Sequence, residues 1–256
     1  GTRTGRFSYS DPNLQNMPKE EDSEEPFVIR GCFKPRDGYS FISLDYSQME
    51  YRMLADYANE KDVIRRVMEG ADFHQVTADM FGVSRKQAKT INFACLYGAG
   101  VDKLSTMLGT TKHEASRLRD RYFMALPNVE RLIDDVISTG KSRGFVQNWY
   151  GRKMYAQKEF CYALPNHLIQ GGGADVVKLA MVEIEKELRG SDIHMVLQVH
   201  DQLVFEYPTG MDNTKLKRVK EIMENTYVPR NGMKLTVDIS ESTTSLAERS
   251  MVKINI

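Results

Sequence analysis

The chain has 256 residues, of which 41% are hydrophobic and 27% are charged, so it is long enough to bury a substantial core in one large or two small domains. Lysine plus arginine (35) balances aspartate plus glutamate (35). This balance excludes a uniformly basic nucleic-acid-binding protein, but it does not exclude a local basic site.

Cysteine usage and hydropathy narrow the class further. Cys32, Cys95 and Cys161 are scattered without C-x-x-C spacing, which argues against a disulfide framework or a zinc site and favours a reducing compartment. The sequence contains no signal-peptide pattern and no apolar run long enough to cross a bilayer. We therefore expect a soluble, cytoplasmic protein without a membrane partner.

The first 18 residues, GTRTGRFSYSDPNLQNMP, are rich in turn formers and hydrogen-bonding side chains. An irregular polar segment of this kind is most often a surface connection. The acidic stretch that follows, Lys19 to Pro26, is predicted to be a solvated loop.

The run Tyr39 to Ser43 (YSFIS) is predicted to be a short strand, and the following LDYSQMEYR turns into a helical pattern at Ser47. This places Asp45 at a strand end, where a carboxylate on a rigid element can hold a metal ion steadily. The alternative is an ordinary helix start, with Ser47 as the N-cap and Glu50 completing a capping box.

Two helices are predicted next. Tyr51 to Met68 is expected to be helical with a break near Asn59, and Gly70 to Gly82 to be a capped helix that ends at glycine. The second of these carries His74. A single histidine on a helix is most often a surface or core residue, so His74 alone indicates no function.

The segment RKQAKTINFACLYG, residues 85–98, has a more specific pattern. Steps of four join Arg85, Lys89, Phe93 and Tyr97 into one stripe of a predicted helix. At ~1.5 Å per residue the stripe is ~18 Å long, enough to lie beside a nucleoside triphosphate. The two cations come first along the stripe and the two aromatic rings come last. This order matches a nucleotide, whose phosphates need positive charge and whose sugar and base need a flat apolar surface. A basic solvent-facing helix is the alternative, but it does not explain aromatic residues that continue the charged stripe.

Further helices are predicted from Val101 to Gly140, including Lys112 to Leu126 and, after a proline break, Pro127 to Thr139. Gly144 to Tyr155 is predicted to form a small hairpin. These elements are interpreted as scaffold.

Residues 162–175 lead into a predicted helix that ends near Leu188. Its inward face is expected to carry Val177, Ala180, Met181, Ile184 and Leu188. Glycines 171–173 cost about 1 kcal/mol each relative to alanine. We therefore expect another backbone, such as a DNA strand, to approach them closely.

The segment MVLQVHDQLVFE, residues 195–206, is predicted to be a buried hairpin with His200, Asp201 and Gln202 at its tip. An aspartate at a turn is ordinarily a turn former. Strand, helix and hairpin together can form a βαββ core that brings Asp45 and Asp201 together. A helix over residues 215–226 and a strand over residues 234–239 are predicted to complete the sheet.

Three of these segments, in this order, resemble the motifs of one family. LDYSQMEYR, the R-x-x-x-K-x-x-x-F-x-x-x-Y-G helix and VHDQ, preceded by TGR and PNLQN, are similar to sequences of the family A DNA polymerases, the bacterial DNA polymerase I type and its phage relatives. The resemblance implies an α+β fold with a right-hand polymerase palm, built on an antiparallel βαββ sheet with helices, and a mainly helical fingers domain.

The same resemblance implies a domain division. Residues 1–56 form the first part of the palm, residues 57–160 the fingers with the nucleotide-binding helix 85–98, and residues 161–256 the second part of the palm with the catalytic hairpin 195–206. The thumb and exonuclease domains of the family are expected to be absent from this chain, which is then a fragment or works with a separate subunit.

The implied reaction is attack of a primer 3′-hydroxyl on the α-phosphorus of a deoxynucleoside triphosphate, with release of pyrophosphate. Two Mg²⁺ ions, with Mn²⁺ as a substitute, are implied, held by Asp45, Asp201 and the carbonyl of Tyr46. Lys89 is implied as the third catalytic residue because it neutralises phosphate charge. The implied location is the cytoplasm of a bacterium or of a phage-infected host.

The resemblance also implies ligand contacts. The nucleotide-binding residues are His74, Arg85, Lys89, Phe93, Tyr97, Gln48 and Glu50. The residues that bind primer–template DNA are Arg6, Asn13, Gln15, Arg52, Asn166, Gln170 and His200. Glu50 is implied to exclude a 2′-hydroxyl, and a phenylalanine at position 93 resembles members that discriminate against dideoxynucleotides.

Three residues depart from the family pattern: Ala94 replaces a usual glycine, Tyr162 an arginine often found there, and Gln202 a usual glutamate. Altered metal affinity is expected from Gln202, because the amide removes a charge. Two other hypotheses stay open. One is a nucleic-acid-binding module that has lost catalysis. The other is a single-subunit RNA polymerase, against which Glu50 and the NF-x-x-x-YG pattern argue.

Overall fold

The computed structural model describes residues 2–18 and 29–256. The predicted loop Lys19 to Pro26 lies outside the described residues. The chain divides into two compact units. The sheet unit comprises Gly1–Ser47, Ala174–Tyr227 and Leu235–Ile256, and the helical unit comprises Gln48–Gly173 and Val228–Lys234. The palm and fingers ranges implied by the resemblance stay a prediction.

The elements of the described residues follow the predicted order. The strands are β1 Tyr39–Tyr46, β2 Phe145–Gln147, β3 Lys153–Tyr155, β4 His194–Val199, β5 Gln202–Pro208, β6 Val237–Ser242 and β7 Val252–Lys253. The helices are α1 Met49–Ala58, α2 Lys61–Met68, α3 Phe73–Phe81, α4 Arg85–Leu96, α5 Val101–Leu108, α6 Lys112–Ala125, α7 Pro127–Arg143, α8 Leu164–Leu188 and α9 Thr214–Thr226. Along the described ranges, no helix combines the length and the apolarity needed to cross a bilayer.

The sheet unit is built on one antiparallel sheet with the strand order β4-β5-β1-β6-β7. Ile42, Leu44 and Tyr46 are buried on one face of the central strand β1. The Tyr46 hydroxyl donates to the carbonyl of Met223 on α9 at 2.8 Å. A one-residue slip would move these side chains to the opposite face, so their burial fixes the register of β1.

Strand β1 is longer than predicted, and α1 begins later. The backbone N–H of Ser47 donates to the carbonyl of Thr236 at 2.9 Å, so Ser47 still pairs with a neighbouring segment. The N-cap of α1 is Gln48, in a left-handed conformation with φ of 53°. The alternative of a capping box between Ser47 and Glu50 is therefore wrong, and Asp45 lies near a strand end as predicted.

Strand β6 begins at Val237 rather than at residue 234 as predicted. Its first residue pairs with Tyr46, the last residue of β1. The preceding residues therefore have no part of β1 opposite them, which explains the later start.

Most predicted helix boundaries in the helical unit are confirmed. Asn59 separates α1 from α2 in a left-handed conformation, and Gly82 ends α3 in another. Asp72 caps α3, and Ser84 begins α4 with a capping box. The helices α5 to α7 and the hairpin β2–β3 also lie where they were expected.

Two of the three glycines of α8, Gly172 and Gly173, lie against side chains of α1. A Cβ on Gly172 would lie 2.7 Å from Cε of Met53, and one on Gly173 would lie 3.4 Å from Sδ of Met49. The expected close approach is therefore present, but its partners are flexible methionine side chains of α1, which fill irregular gaps well. The predicted inward residues of α8 are buried, except that Met181 is half-buried.

Candidate functional site

The pairing of β1 with β5 brings the two predicted metal-binding acids onto neighbouring strands. Asp45 lies opposite Gln202 in the ladder, and Asp201 precedes Gln202 in the turn between β4 and β5. The backbone N–H of Tyr46 also donates to the carbonyl of Asp201 at 3.4 Å. The acids are far apart in the chain, and strand pairing places their backbones side by side.

The same face of the sheet lines a cavity of about 290 Å³. Asp45, Ser43, Asp201 and Gln202 contribute to its wall, and Ser240 of β6 contributes from the other side of β1. Alternation along a strand explains the grouping, because Ser43 and Asp45 point to the face opposite Leu44. The acids therefore border a space that small ligands can enter.

A buried glutamine supports the turn that carries Asp201. Gln198 is 4% exposed, and its Nε2 donates to the carbonyl of His200, a non-glycine residue with φ of 55°. A left-handed residue of this type is uncommon and needs support from its surroundings. Gln198 Oε1 accepts a hydrogen bond of 2.9 Å from Nε2 of Gln15. Gln198 thus connects the turn that carries Asp201 to the predicted DNA-contact segment.

No function was predicted for Gln198, although the sequence contains one signal. It is a polar residue within the otherwise apolar run MVLQV of a strand predicted to be buried. Buried side-chain amides normally have hydrogen-bond partners, so such a residue indicates a specific contact.

Asp45 is flanked across the sheet by Gln202 on β5 and by Asp238 on β6. No role was predicted for Asp238. Gln202 Nε2 donates to Oγ of Ser43 at 2.6 Å, a bond that a glutamate could not donate. On the other side, Asp238 of β6 is the ladder partner of Asp45 and lies 3.4 Å from Nζ of Lys253. Directly paired residues share a face of the sheet, so Gln202, Asp45 and Asp238 form one row.

The donor set at this edge suits magnesium. Across the described residues, no group of three or more histidine, cysteine, aspartate or glutamate side chains is arranged to hold a metal ion. Asp45 and Asp201 supply two carboxylates. Mg²⁺ usually takes one or two protein carboxylates together with substrate phosphates and several waters, so the residues present fit the implied ion.

Helix α4 of the helical unit presents the predicted stripe. Arg85, Lys89 and Phe93 are exposed, whereas Ala88 and Ile91 on the opposite face are fully buried. The cations and Phe93 of the stripe therefore lie on the surface of α4, opposite its buried face.

At the aromatic end of the stripe, the two rings contact each other. The rings of Phe93 and Tyr97 stack with centroids 4.1 Å apart and planes inclined by 19°. Tyr97 is the C-cap of α4, and its hydroxyl accepts a hydrogen bond from Nε2 of Gln170 on α8. Two residues that the resemblance assigns to the nucleotide site and to DNA are therefore joined directly.

The cationic end of the stripe is paired with the acid that caps α3. Nε and Nη2 of Arg85 each lie 2.9 Å from an oxygen of Asp72. Burial opposes ionisation of the Asp72 carboxyl, but hydrogen bonds from Arg85, from the backbone N–H of Gln75 and from Gln48 outweigh it and lower the pKa of Asp72 to about 2. Asp72 is therefore a carboxylate over the whole physiological range.

His74 is buried beside this pair. Its Nδ1 lies 3.0 Å from Nδ2 of Asn92, and its ring meets the ring of Tyr51 edge-on. Burial lowers the pKa of His74 to about 4; Asp72 opposes this shift, whereas Arg85 and Lys89 reinforce it. The imidazole is neutral at neutral pH, so it can contribute hydrogen bonds rather than charge.

The predicted DNA contacts differ in their surroundings. Arg52 is buried, and its Nη1 donates to the carbonyl of Lys234 at 3.0 Å, so one edge of its guanidinium holds a backbone segment in place. Asn13 caps the 3₁₀ turn Leu14–Asn16 by accepting from the N–H of Gln15. Oδ1 of Asn166 is buried and has no hydrogen-bond partner among the described residues.

The family model described as DNA polymerase family A matches residues 1–246. The chain belongs to DNA polymerase family A. This membership and the observed α+β architecture together confirm the predicted fold class. Polymerases of this family are generally metal-dependent. The match also favours this family over the single-subunit RNA polymerases.

Curated relatives in the family are bacterial polymerases. The thermostable DNA polymerase I of Thermus aquaticus is 36% identical over 96% of this chain and 32% of its own length. The DNA polymerase I of Deinococcus radiodurans is 36% identical over 87% of this chain and 25% of its own length. The chain therefore spans about a third or less of the length of these relatives.

A solved structure has the same fold. The POL domain of Pol1 from M. smegmatis, in complex with DNA primer-template and dNTP, is 28% identical to this chain and has a TM-score of 0.87. The similarity covers 96% of this chain and 46% of that one.

Proposed function

We propose that this chain carries the catalytic part of a template-directed DNA polymerase, which adds deoxynucleotides to a primer 3′-hydroxyl and releases pyrophosphate. The observation that supports this most is the pairing of β1 with β5, which sets Asp45 beside the turn of Asp201 at one edge of the sheet. The membership of the chain in family A supplies the class of reaction.

Asp45, Asp201 and the carbonyl of Tyr46 would hold two Mg²⁺ ions, for which Mn²⁺ substitutes. Such ions activate an attacking hydroxyl and neutralise charge on a leaving phosphate. The protein's own part is to fix the carboxylates. Asp45 lies on the central strand of the sheet, and the Asp201 turn is held through Gln198, so both acids are placed by rigid elements.

The nucleotide would lie along α4. Arg85 and Lys89 would donate to the phosphates, and neutral His74 would add a hydrogen bond near them. Phe93 would lie against the sugar and Tyr97 on the template side. Their stacked rings support this assignment, because flat apolar surface suits sugar and base.

The remaining predicted contacts complete the substrate site. Gln48 and Glu50, at the start of α1, would line the sugar side, where Glu50 would exclude a 2′-hydroxyl. The primer–template DNA would be held by Arg6, Asn13, Gln15, Arg52, Asn166, Gln170 and His200.

The test is incorporation of one labelled deoxynucleotide on a primed template in the presence of MgCl2. We expect incorporation by the wild-type chain. Asp45→Asn and Asp201→Asn should each reduce it by more than the roughly 100-fold that follows loss of a group that merely supports a metal ligand. Thermal unfolding followed by circular dichroism should show that both variants remain folded.

Asp238→Asn is the matched control, because Asp238 lies in the same row of the sheet but on the other side of Asp45. It should retain most of the activity. Extension that survives in both Asp45→Asn and Asp201→Asn would contradict the assignment. Comparison with a ribonucleotide tests the role of Glu50.

A second candidate function is suggested by Gln202, whose amide stands where the family usually has a carboxylate. In that case the chain binds primed DNA but does not extend it. Fluorescence anisotropy with a labelled primed template separates the two functions, because binding without incorporation would support the second candidate.

A further inference from the structure

The carboxylate of Asp72 occupies the edge of Arg85 that a phosphate would use. The two contacts from Nε and Nη2 of Arg85, both 2.9 Å long, form a parallel pair of charge-assisted hydrogen bonds. Two oxygens of a phosphate group match the same guanidinium edge in the same way. A phosphate that binds Arg85 through this edge must therefore displace Asp72.

Asp72 is fixed in place more firmly than Arg85. Its Oδ1 caps α3 by accepting from the backbone N–H of Gln75 at 2.8 Å, and its Oδ2 accepts from Nε2 of Gln48. Gln48 is itself fixed, because its Oε1 accepts from the N–H of Phe73 at 3.1 Å. Arg85 is the first residue of α4, and its long side chain is 51% exposed. The arginine can leave while the carboxylate stays.

We propose that Asp72 is an internal stand-in for the nucleotide phosphate, a positioning residue that holds Arg85 at the site and that an incoming triphosphate must displace. This inference rests on the proposed role of Arg85 in nucleotide binding. The competition lowers the affinity of the resting protein for nucleotide. The same competition acts on pyrophosphate. Asp72 can take back the guanidinium edge of Arg85 as pyrophosphate leaves, and this favours product release.

The fixed position of Asp72 has a second consequence. Once Arg85 has moved to the phosphate, the carboxylate still has the cap of α3 and the amide of Gln48. A negative charge therefore stays near the bound phosphates. Repulsion from it adds to the loss of the ion pair, so both effects weaken nucleotide binding.

The experiment measures the Kd of dATP with MgCl2 by isothermal titration calorimetry. Asp72→Asn should bind dATP about two- to fivefold more tightly, the range expected when a partly exposed ion pair no longer has to be broken. Asparagine caps helices as well as aspartate does, so this variant retains α3. In steady-state extension, KM for the nucleotide should fall in proportion, whereas kcat should not rise.

Asp79→Asn is the matched control, because Asp79 is another carboxylate of α3 that pairs with an arginine, Arg66, at 3.1 Å. It should leave the Kd unchanged. In an Arg85→Ala background, Asp72→Asn should lose the part of its effect that comes from the ion pair and keep only the part that comes from repulsion, so its effect on the Kd should be smaller than in the wild type.

The outcomes separate the two claims. If the wild-type chain binds dATP and extends primers, but Asp72→Asn leaves the Kd unchanged or raises it, Asp72 does not compete with phosphate and this inference alone is overturned. If the wild-type chain neither binds dATP nor extends a primer, the proposed function is overturned and this inference with it.

Discussion

The sheet unit and the helical unit assemble their predicted functional residues in different ways. In the sheet unit, Asp45 and Asp201 come from distant parts of the chain and meet through the pairing of β1 with β5. In the helical unit, Arg85, Lys89 and Phe93 lie on one face of a single helix. The first arrangement depends on the topology of the sheet, whereas the second depends on helical periodicity.

The two arrangements also differ in rigidity. Gln198, which supports the Asp201 turn, is almost fully buried, and the turn lies between paired strands. The cations of α4 are exposed, and Arg85 holds a partner that it can exchange. A fixed site suits metal-binding carboxylates, and an exposed one suits groups that must receive and release a substrate. The comparison yields three predictions.

The largest effect should come from the helical face. Lys89→Ala should lower kcat/KM for single-nucleotide incorporation by about 100-fold, the loss typical when a donor to developing charge is removed. Lys86→Ala is the control, since Lys86 is an exposed lysine of α4 outside the stripe. It should stay close to the wild type. Equal losses in both variants would show that general basicity, rather than helical position, is what matters.

A smaller effect should follow loss of the support for the Asp201 turn. Gln198→Leu removes the bonds to His200 and Gln15, and should reduce primer extension about tenfold, as expected for a group that orients a metal ligand. The Kd of dATP should not change, because the nucleotide is assigned to the helical unit. If Gln198→Leu also weakened the binding of dATP, the assignment of nucleotide binding to the helical unit alone would be contradicted.

The smallest effect is a pH dependence of stability in the helical unit. The pKa of His74 falls from 6.5 to about 4 on folding. Between these values the unfolded chain binds more protons than the folded one, so stability falls as the pH falls from 6.5 to 4. His74→Gln should flatten the slope of the urea unfolding midpoint against pH in this window. His113→Gln, at an exposed histidine of α6, is the control.

The lowered pKa of Asp72 acts in a separate window. Its contribution to stability is complete above pH 3.8 and is lost as the pH falls towards 2. Asp72→Asn should therefore not remove the slope between pH 6.5 and 4, because that slope arises from His74 and the Asp72 charge only opposes the lowering of the pKa of His74. A slope in that range that disappears in Asp72→Asn but persists in His74→Gln would contradict the assignment.

The sequence by itself determined the elements and the chemistry that they carry. The break at Asn59, the stripe of α4 and the hairpin around Asp201 were all predicted, because each pattern depends on residues a few positions apart. The family resemblance supplied the architecture, and the family match bears it out.

Tertiary structure decided which distant groups meet. Four observed contacts have no local signature in the sequence. They are the continued pairing of Ser47, the bond from Gln198 to the His200 carbonyl, the ladder position of Asp238 and the pairing of Asp72 with Arg85. Methionine side chains, rather than a backbone, fill the space beside the glycines of α8 for the same reason. Sequence periodicity reports which face a residue occupies, but the partner on that face is fixed only when the chain folds and segments far apart pack together.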